Sequence, residues 1–290
     1  MSGLTPLVDT LLATRLAQRV DHKSMGRFEL DSSENFNRHY PNLADAVFDT
    51  VRDALGPDGA VNVALVRASV QAYLEAWQPA TALHGLRKLL LGLACDADLV
   101  LDLHCDADAV VHLYALTPHR SLAQELGAAL GARAVLLATE SGGSPFDEAC
   151  TRPWFELQQT RADVPVALAC FAATVELRGQ CDTSHALALQ DAAGLVAFLR
   201  MRGVLGGPAG ATPVPLCDPT PLAGSEPLAA PRAGVVVFHR NSGDQVEAGD
   251  TIADIVDPSN GTITPVRCIS SGVLYARCGS RWALAGKRLA

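Results

Sequence analysis

Asp98-Leu99-Val100-Leu101-Asp102-Leu103-His104-Cys105-Asp106 is the stretch on which the reading of this chain turns. Its first half is a run of Leu and Val, the composition of a strand covered on both faces. It then passes abruptly into aspartate, histidine and a second aspartate. In open α/β sheets ligands bind where strands reach their carboxyl ends, so polar groups belong there and not inside the sheet. His104 is therefore the first candidate for a metal ligand. The competing reading is a strand-end histidine satisfied by a neighbouring carboxylate.

Downstream of that stretch, residues 109–115 (AVVHLYA) predict a second strand, 121–130 a helix closed by Gly131, and 133–138 a third strand. Residues 140–151 (ESGGSPFDEACT) read as a glycine-containing loop of the kind that lines a site. Residues 154–162 read as a helix and 165–177 as a strand region that stays apolar until Glu176, Arg178 and Gly179. A long helix follows over 184–202. Upstream, Leu43, Val47, Phe48, Val51 and Leu55 share one helical face, and Gly56-Pro57 stops that helix. Asp58 caps the next helix, which ends before Pro79, and 81–93 is a third. Residues 5–20 also have helical spacing. Between them, 25–41 (MGRFELDSSENFNRHYP) lacks either period and is dense in charged, amide and aromatic groups, which marks an ordered loop that carries function. Strands alternating with helices predict an α/β sandwich around a central sheet.

The bulk numbers narrow the function. A chain of 290 residues suffices for one large domain and a small one. Net charge is −8, with no Lys/Arg-rich tract, so nucleic acid is not an expected partner. Eight cysteines occur without a C-x-x-C pair, which argues against a zinc ribbon or a dithiol redox motif. No basic-apolar-small signal opens the chain, and no apolar run approaches the ~18 residues of a membrane span. The expectation is a soluble cytoplasmic protein with reduced, mostly buried cysteines and no membrane partner.

After Met201 the composition shifts, and residues 203–233 hold seven prolines. The tail then shows a faint duplication: Gly234-Val235-Val236 before Ala248-Gly249-Asp250-Thr251-Ile252-Ala253, and Gly272-Val273-Leu274 before Ala285-Gly286-Lys287-Arg288-Leu289-Ala290. Short β segments with glycine turns, repeated once, suggest a small two-fold barrel that resembles the biotinyl/lipoyl-type hammerhead. The turn between the halves, 257–261 (DPSNG), has no lysine to carry a prosthetic group.

Three separated groups carry chemistry. Arg38 with Asn37 can grip a carboxylate through a guanidinium fork and an amide, or form a turn salt-bridged to Glu34 or Asp31. His104 can hold zinc. Glu176, ending a buried strand, can act as a general base or pair with Arg178, although neighbours on a strand point to opposite faces. In this order the segments resemble the succinylglutamate desuccinylase/aspartoacylase family of the zinc carboxypeptidase superfamily. Gly26-Arg27 through Asn35-Phe36-Asn37-Arg38-His39-Tyr40-Pro41 is similar to its Arg…Asp…Asn-Arg-x-(aromatic)-Pro segment, Asp102-Leu103-His104 to its Asp-(Leu/Ile)-His strand end, and Ala173-Thr174-Val175-Glu176-Leu177 to its Thr-x-Glu-(Leu/Val/Ile) strand.

The resemblance implies a zinc-dependent amidohydrolase acting on an N-acyl amino acid or similar small carboxylate. His104 would be a Zn2+ ligand, Glu176 would deprotonate the metal-bound water, Asn37 and Arg38 would hold the substrate carboxylate, and Arg27 would stabilise the oxyanion. It also implies a three-layer α/β/α zinc-carboxypeptidase-like domain over 1–203, a Pro/Gly-rich connection over 204–231 and a small all-β barrel over 232–290. One departure stands out. The family's first two zinc ligands come from a His-x-x-Glu motif, and none of the eight histidines here is followed by Glu or Asp three residues on. The expectation is an N-terminally incomplete deacylase domain with an impaired zinc site, a non-catalytic carboxylate-binding module on the same scaffold being the alternative. Homo-oligomerisation through the C-terminal β part is a third reading.

Overall fold

The computed structural model describes residues 27–29, 32–208, 210–211 and 213–290. The helix expected over 5–20 lies outside the described residues. In chain order the main elements are α1 (Leu43–Val51), α2 (Gly59–Ala76), α3 (Ala82–Ala94), β1 (Leu99–Asp106), β2 (Asp108–Ala109), β3 (His112–Leu116), α4 (Arg120–Leu130), β4 (Ala134–Ala138), α5 (Phe146–Thr160), β5 (Phe171–Gly179) and α6 (His185–Met201). The C-terminal part adds β6 (Thr220–Pro221), β7 (Gly234–Phe238), β8 (Gln245–Val246), β9 (Thr251–Val256), β10 (Ile263–Arg267), β11 (Gly272–Val273), β12 (Ala276–Arg277) and β13 (Trp282–Ala283). The chain divides into two compact units, residues 1–100 with 140–172 and residues 101–139 with 173–290.

The first unit is helical. Asp58 starts α2 by accepting from Ala60 N and Val61 N, and Thr81 starts α3 by accepting from His84 N. Such caps satisfy backbone donors that the first helical turn leaves unpaired. Leu43, Val47 and Val51 of α1 meet Val66, Val70 and Leu74 of α2, Leu91 of α3, and Trp154 and Leu157 of α5 in one core. Buried Asn62 ties the connections down: its amide donates to Gly56 O at 2.8 Å and Pro165 O at 2.9 Å, and Gly56 N donates to its Oδ1. Residues 165–170 are therefore an anchored connection, and the strand expected from 165 begins only at Phe171.

The second unit holds a mixed sheet in the order β1-β5-β3-β4-β6. β3 runs parallel to β4 and antiparallel to β5, with His112 opposite Glu176 and Tyr114 opposite Thr174. Bonds from Phe171 N to Asp98 O and from Gln180 N to Asp106 O, one at each end, show that β1 and β5 run parallel. Among the described residues β1 lies at the sheet edge, which corrects the expectation of a strand covered on both faces: Leu103 is 51% exposed. Helix α4 closes at Gly131 in the left-handed conformation, as its sequence predicts.

The tail forms an antiparallel sheet in the order β10-β9-β7-β13 over a core that includes Val236, Ile252, Ile255, Val266 and Leu274. Within this second unit β12 pairs antiparallel with β2, placing Arg277 opposite Asp108. Arg277 Nη2 bonds the Asp108 carboxylate at 2.7 Å and Ser242 Oγ donates to it at 2.7 Å. Burial pushes the Asp108 pKa up, but these hydrogen bonds outweigh it and hold the carboxyl below its ordinary range. No helix among the described residues is long and apolar enough to cross a membrane. All eight cysteines are free thiols; Cys150, Cys170 and Cys268 are buried, whereas Cys105 and Cys181 are exposed.

Candidate active site

In the second unit the two strand ends that the sequence singles out are neighbours. Asp102 and His104, two residues apart, share one face of β1, and His104 Nε2 lies 2.8 Å from Asp102 Oδ2. The neighbouring-carboxylate reading of His104 is thus realised. A carboxylate on one ring nitrogen also fixes the tautomer and orientation of the imidazole, which is how ligand histidines are commonly held. Glu176 sits half-buried on β5, the strand beside β1. Arg178 does not pair with it. The Arg178 guanidinium forks onto Asp191 of α6 with two bonds of 2.7 Å.

A group that the sequence reading passed over shares the face of Glu176. His112, opposite it in the ladder, is fully buried; Nδ1 lies 2.9 Å from Val110 O, and Nε2 has no hydrogen-bond partner among the described residues. Burial pushes the His112 pKa down, so the ring is neutral. Tyr114 meets its edge at 5.4 Å, and Tyr275 of the tail lies at 5.1 Å. Burial pushes the Tyr114 phenol well up, and Tyr275 adds to the shift by bonding it. Alternation in 109–115 places His112 and Tyr114 on one face and was the available signal. Tyr275 had none.

In the first unit, residues 27–29 and 32–40 are held at several points. Phe36 N donates to Arg27 O at 2.9 Å and Phe28 bridges Asn35. The Arg27 side chain is exposed and lies over the Phe28 ring. From α3, Arg87 (1% exposed) bonds Glu34 at 2.7 Å and reaches Asn35 O. That hydrogen bond holds the Glu34 carboxyl below its usual range. Glu34 is thereby committed to Arg87, not to Arg38.

Asn37 and Arg38 then meet residues 141–146. His39 N donates to Gly143 O at 2.7 Å, Tyr40 N to Ser144 O at 3.0 Å, and Phe146 N to Asn37 Oδ1 at 2.8 Å. Asn37 therefore caps α5 from 109 residues away. The helix starts at Phe146 and carries Pro153 inside, so the predicted loop 140–151 is shorter and the predicted helix 154–162 is longer at its start. Arg38 is half-buried, donates to Asn37 O and makes no ion pair among the described residues. Of the predicted site residues, the structure groups Arg27, Asn37 and Arg38 in one unit and His104 and Glu176 in the other. An apolar cleft in the first unit, lined by residues such as Leu43, Val70, Leu91, Cys95 and Trp154, contains none of them.

The donor set does not fit a complete zinc centre. A catalytic zinc takes three protein ligands, and among the described residues no group of three His, Cys, Asp or Glu side chains is placed to hold a metal ion. Of the zinc ligands that the resemblance implies, His104 is the one with a counterpart in this sequence.

The mixed α/β architecture with its parallel-containing sheet is consistent with the zinc carboxypeptidase-like class of fold. Within that class, the solved structures that resemble this chain include succinylglutamate desuccinylase/aspartoacylase family proteins, whose fold the chain shares. A family protein from Shewanella amazonensis is 27% identical with a TM-score of 0.80, the match covering 94% of this chain and 76% of that one. One from Shewanella frigidimarina is 24% identical at a TM-score of 0.83, over 96% and 77%. One from Rhodobacter sphaeroides is 15% identical at 0.59, over 92% and 69%. No family model and no curated protein matches the sequence.

Proposed function

We propose that this chain binds a small N-acyl amino acid through its carboxylate and that its scaffold is that of an amide-hydrolysing deacylase. The observation that carries the binding half is Arg38: a half-buried guanidinium without a carboxylate partner among the described residues. Removing such a charge from water is unfavourable unless an anion compensates it, and a fork geometry selects carboxylates. Asn37 adds an amide beside it, and Arg27 is the candidate donor to an oxyanion. For the hydrolytic half, Glu176 would take the proton of the attacking water and return it to the leaving amine. The acyl amino acids in the family's name, an acylated aspartate and succinylglutamate, are the natural probes.

Calorimetry and product analysis with N-acetyl-L-aspartate and N-succinyl-L-glutamate test both halves. Arg38→Ala is expected to weaken binding at least tenfold, roughly the loss of one charge-assisted pair worth ~2 kcal/mol. Glu176→Gln is expected to leave binding in place and abolish turnover. Binding indifferent to Arg38→Ala overturns the proposal. Because the grip of Arg38 needs no metal, a second reading follows from the incomplete donor set: a carboxylate-binding module without turnover. Binding unchanged by a chelator, with no product formed, favours that reading.

A further inference from the structure

Within the first unit, Gly143 stands across the loop contact from Arg38. Gly143 lies against the Arg38 side chain so closely that a Cβ built on it would stand 2.8 Å from Arg38 Cδ and 3.4 Å from Nε. Its carbonyl accepts from His39 N, the residue next to Arg38. On either side, Ser144 O takes Tyr40 N and Phe146 N takes Asn37 Oδ1. Three hydrogen bonds thus lock the 37–40 backbone against 143–146, and the missing side chain of Gly143 leaves the room that the Arg38 stem occupies.

We infer that Gly143 is a specificity-determining positioning residue: it is the floor on which Arg38 lies, and any side chain there displaces the guanidinium from its carboxylate-binding position. The inference deepens the proposed function and rests on it for the identity of the ligand. The placement of Arg38 does not. Its chemistry is simple. A stem held between a backbone floor and the aligned 37–40 segment loses few rotamers on binding, so the guanidinium is presented in one orientation. A longer or bulkier floor residue would shorten the reach of Arg38 and shift selection between carboxylates set at different distances from the amide.

Gly142 supplies the control. Both glycines have positive φ, 76° at 143 and 88° at 142, so alanine strains the backbone at either, but a Cβ at 142 meets nothing within 4 Å. In ligand-free protein, the Arg38 Nε–H resonance, assigned by its disappearance in Arg38→Lys, is expected to move in Gly143→Ala and to stay put in Gly142→Ala. Binding of N-acetyl-L-aspartate is expected to weaken about tenfold in Gly143→Ala and by less than about twofold in Gly142→Ala. If Gly143→Ala fails to fold, adding Arg38→Ala removes the clash but not the backbone strain, and is expected to bring the double variant to the stability of Gly142→Ala. An unmoved resonance, or a double variant that stays unfolded while Gly142→Ala folds, overturns the inference. Binding that survives Arg38→Ala would instead overturn the carboxylate assignment, leaving the resonance to decide the role of Gly143.

Discussion

The segment of residues 32–40 and the strand ends of β1 and β5 hold their polar groups by different means. At the strand ends a ladder does the placing: His104 follows Asp102 on one face, and Glu176 stands opposite His112 because the register puts it there. In the loop the described pairing is one isolated bridge, Phe28 with Asn35, and a few backbone bonds, so the side chains depend on individual contacts, with Arg87 on Glu34 and Asn35, Asn37 on Phe146, and Gly143 under Arg38. Ladder positions share their load among many bonds. Loop positions do not, so one substitution can dismantle them.

Arg87→Ala breaks the comparison most sharply. It removes a fully buried side chain and leaves Glu34 uncompensated, which is expected to destabilise the protein by about 4 kcal/mol in urea unfolding. A loss under about 1 kcal/mol would mean the loop is held elsewhere. Next is Arg178→Met, which strands the Asp191 carboxylate behind β5, where both partners are under 15% exposed. About 3 kcal/mol is expected, while Arg38-dependent ligand binding in the other unit is unaffected.

Acidification gives a smaller effect in both regions. Glu34 is held below its ordinary pKa by Arg87, and Asp108 is held below its own by Arg277 and Ser242 against the opposing effect of burial. Each contributes stability that is fully present above the unfolded-state pKa, near 4, and is lost as pH falls through the lower folded value. The stability of Arg87→Met is expected to depend less on pH below about 4 than that of the parent; parallel curves would remove Glu34 from the account. The smallest signal expected is metal. Purified chain dialysed against zinc should retain much less than one ion per molecule, and a tight stoichiometric ion would reveal donors outside the described set.

The legible part of this fold is the part governed by neighbours in sequence. The helices expected after Asp58, from 81 and from 184 begin there, with Asp58, Thr81 and Ser184 capping them from the Ncap position. Gly131 likewise ends α4 in the conformation that glycine permits. The start of α5 was missed because its cap comes from Asn37, on a distant loop, and because Pro153 inside the helix imitates a boundary. The candidate site divides the same way. Residue types in a motif identified Arg38, His104 and Glu176, but nothing local showed that Asn37 would be engaged by a helix, that Arg87 would claim Glu34, or that Tyr275 would cover His112. Those are matters of long-range contact, which periodicity does not report.

The seam of β12 with β2 has an implication for how the molecule comes apart. Asp108, Arg277 and Ser242 bind the last quarter of the chain to the strand that follows β1, and Tyr275 seals a buried imidazole there. Cutting the chain near residue 232 would therefore not release a spare appendage. It would uncover a histidine and an aspartate that had been sheltered, so amide exchange in β3 and in β12 should report a single opening event rather than two.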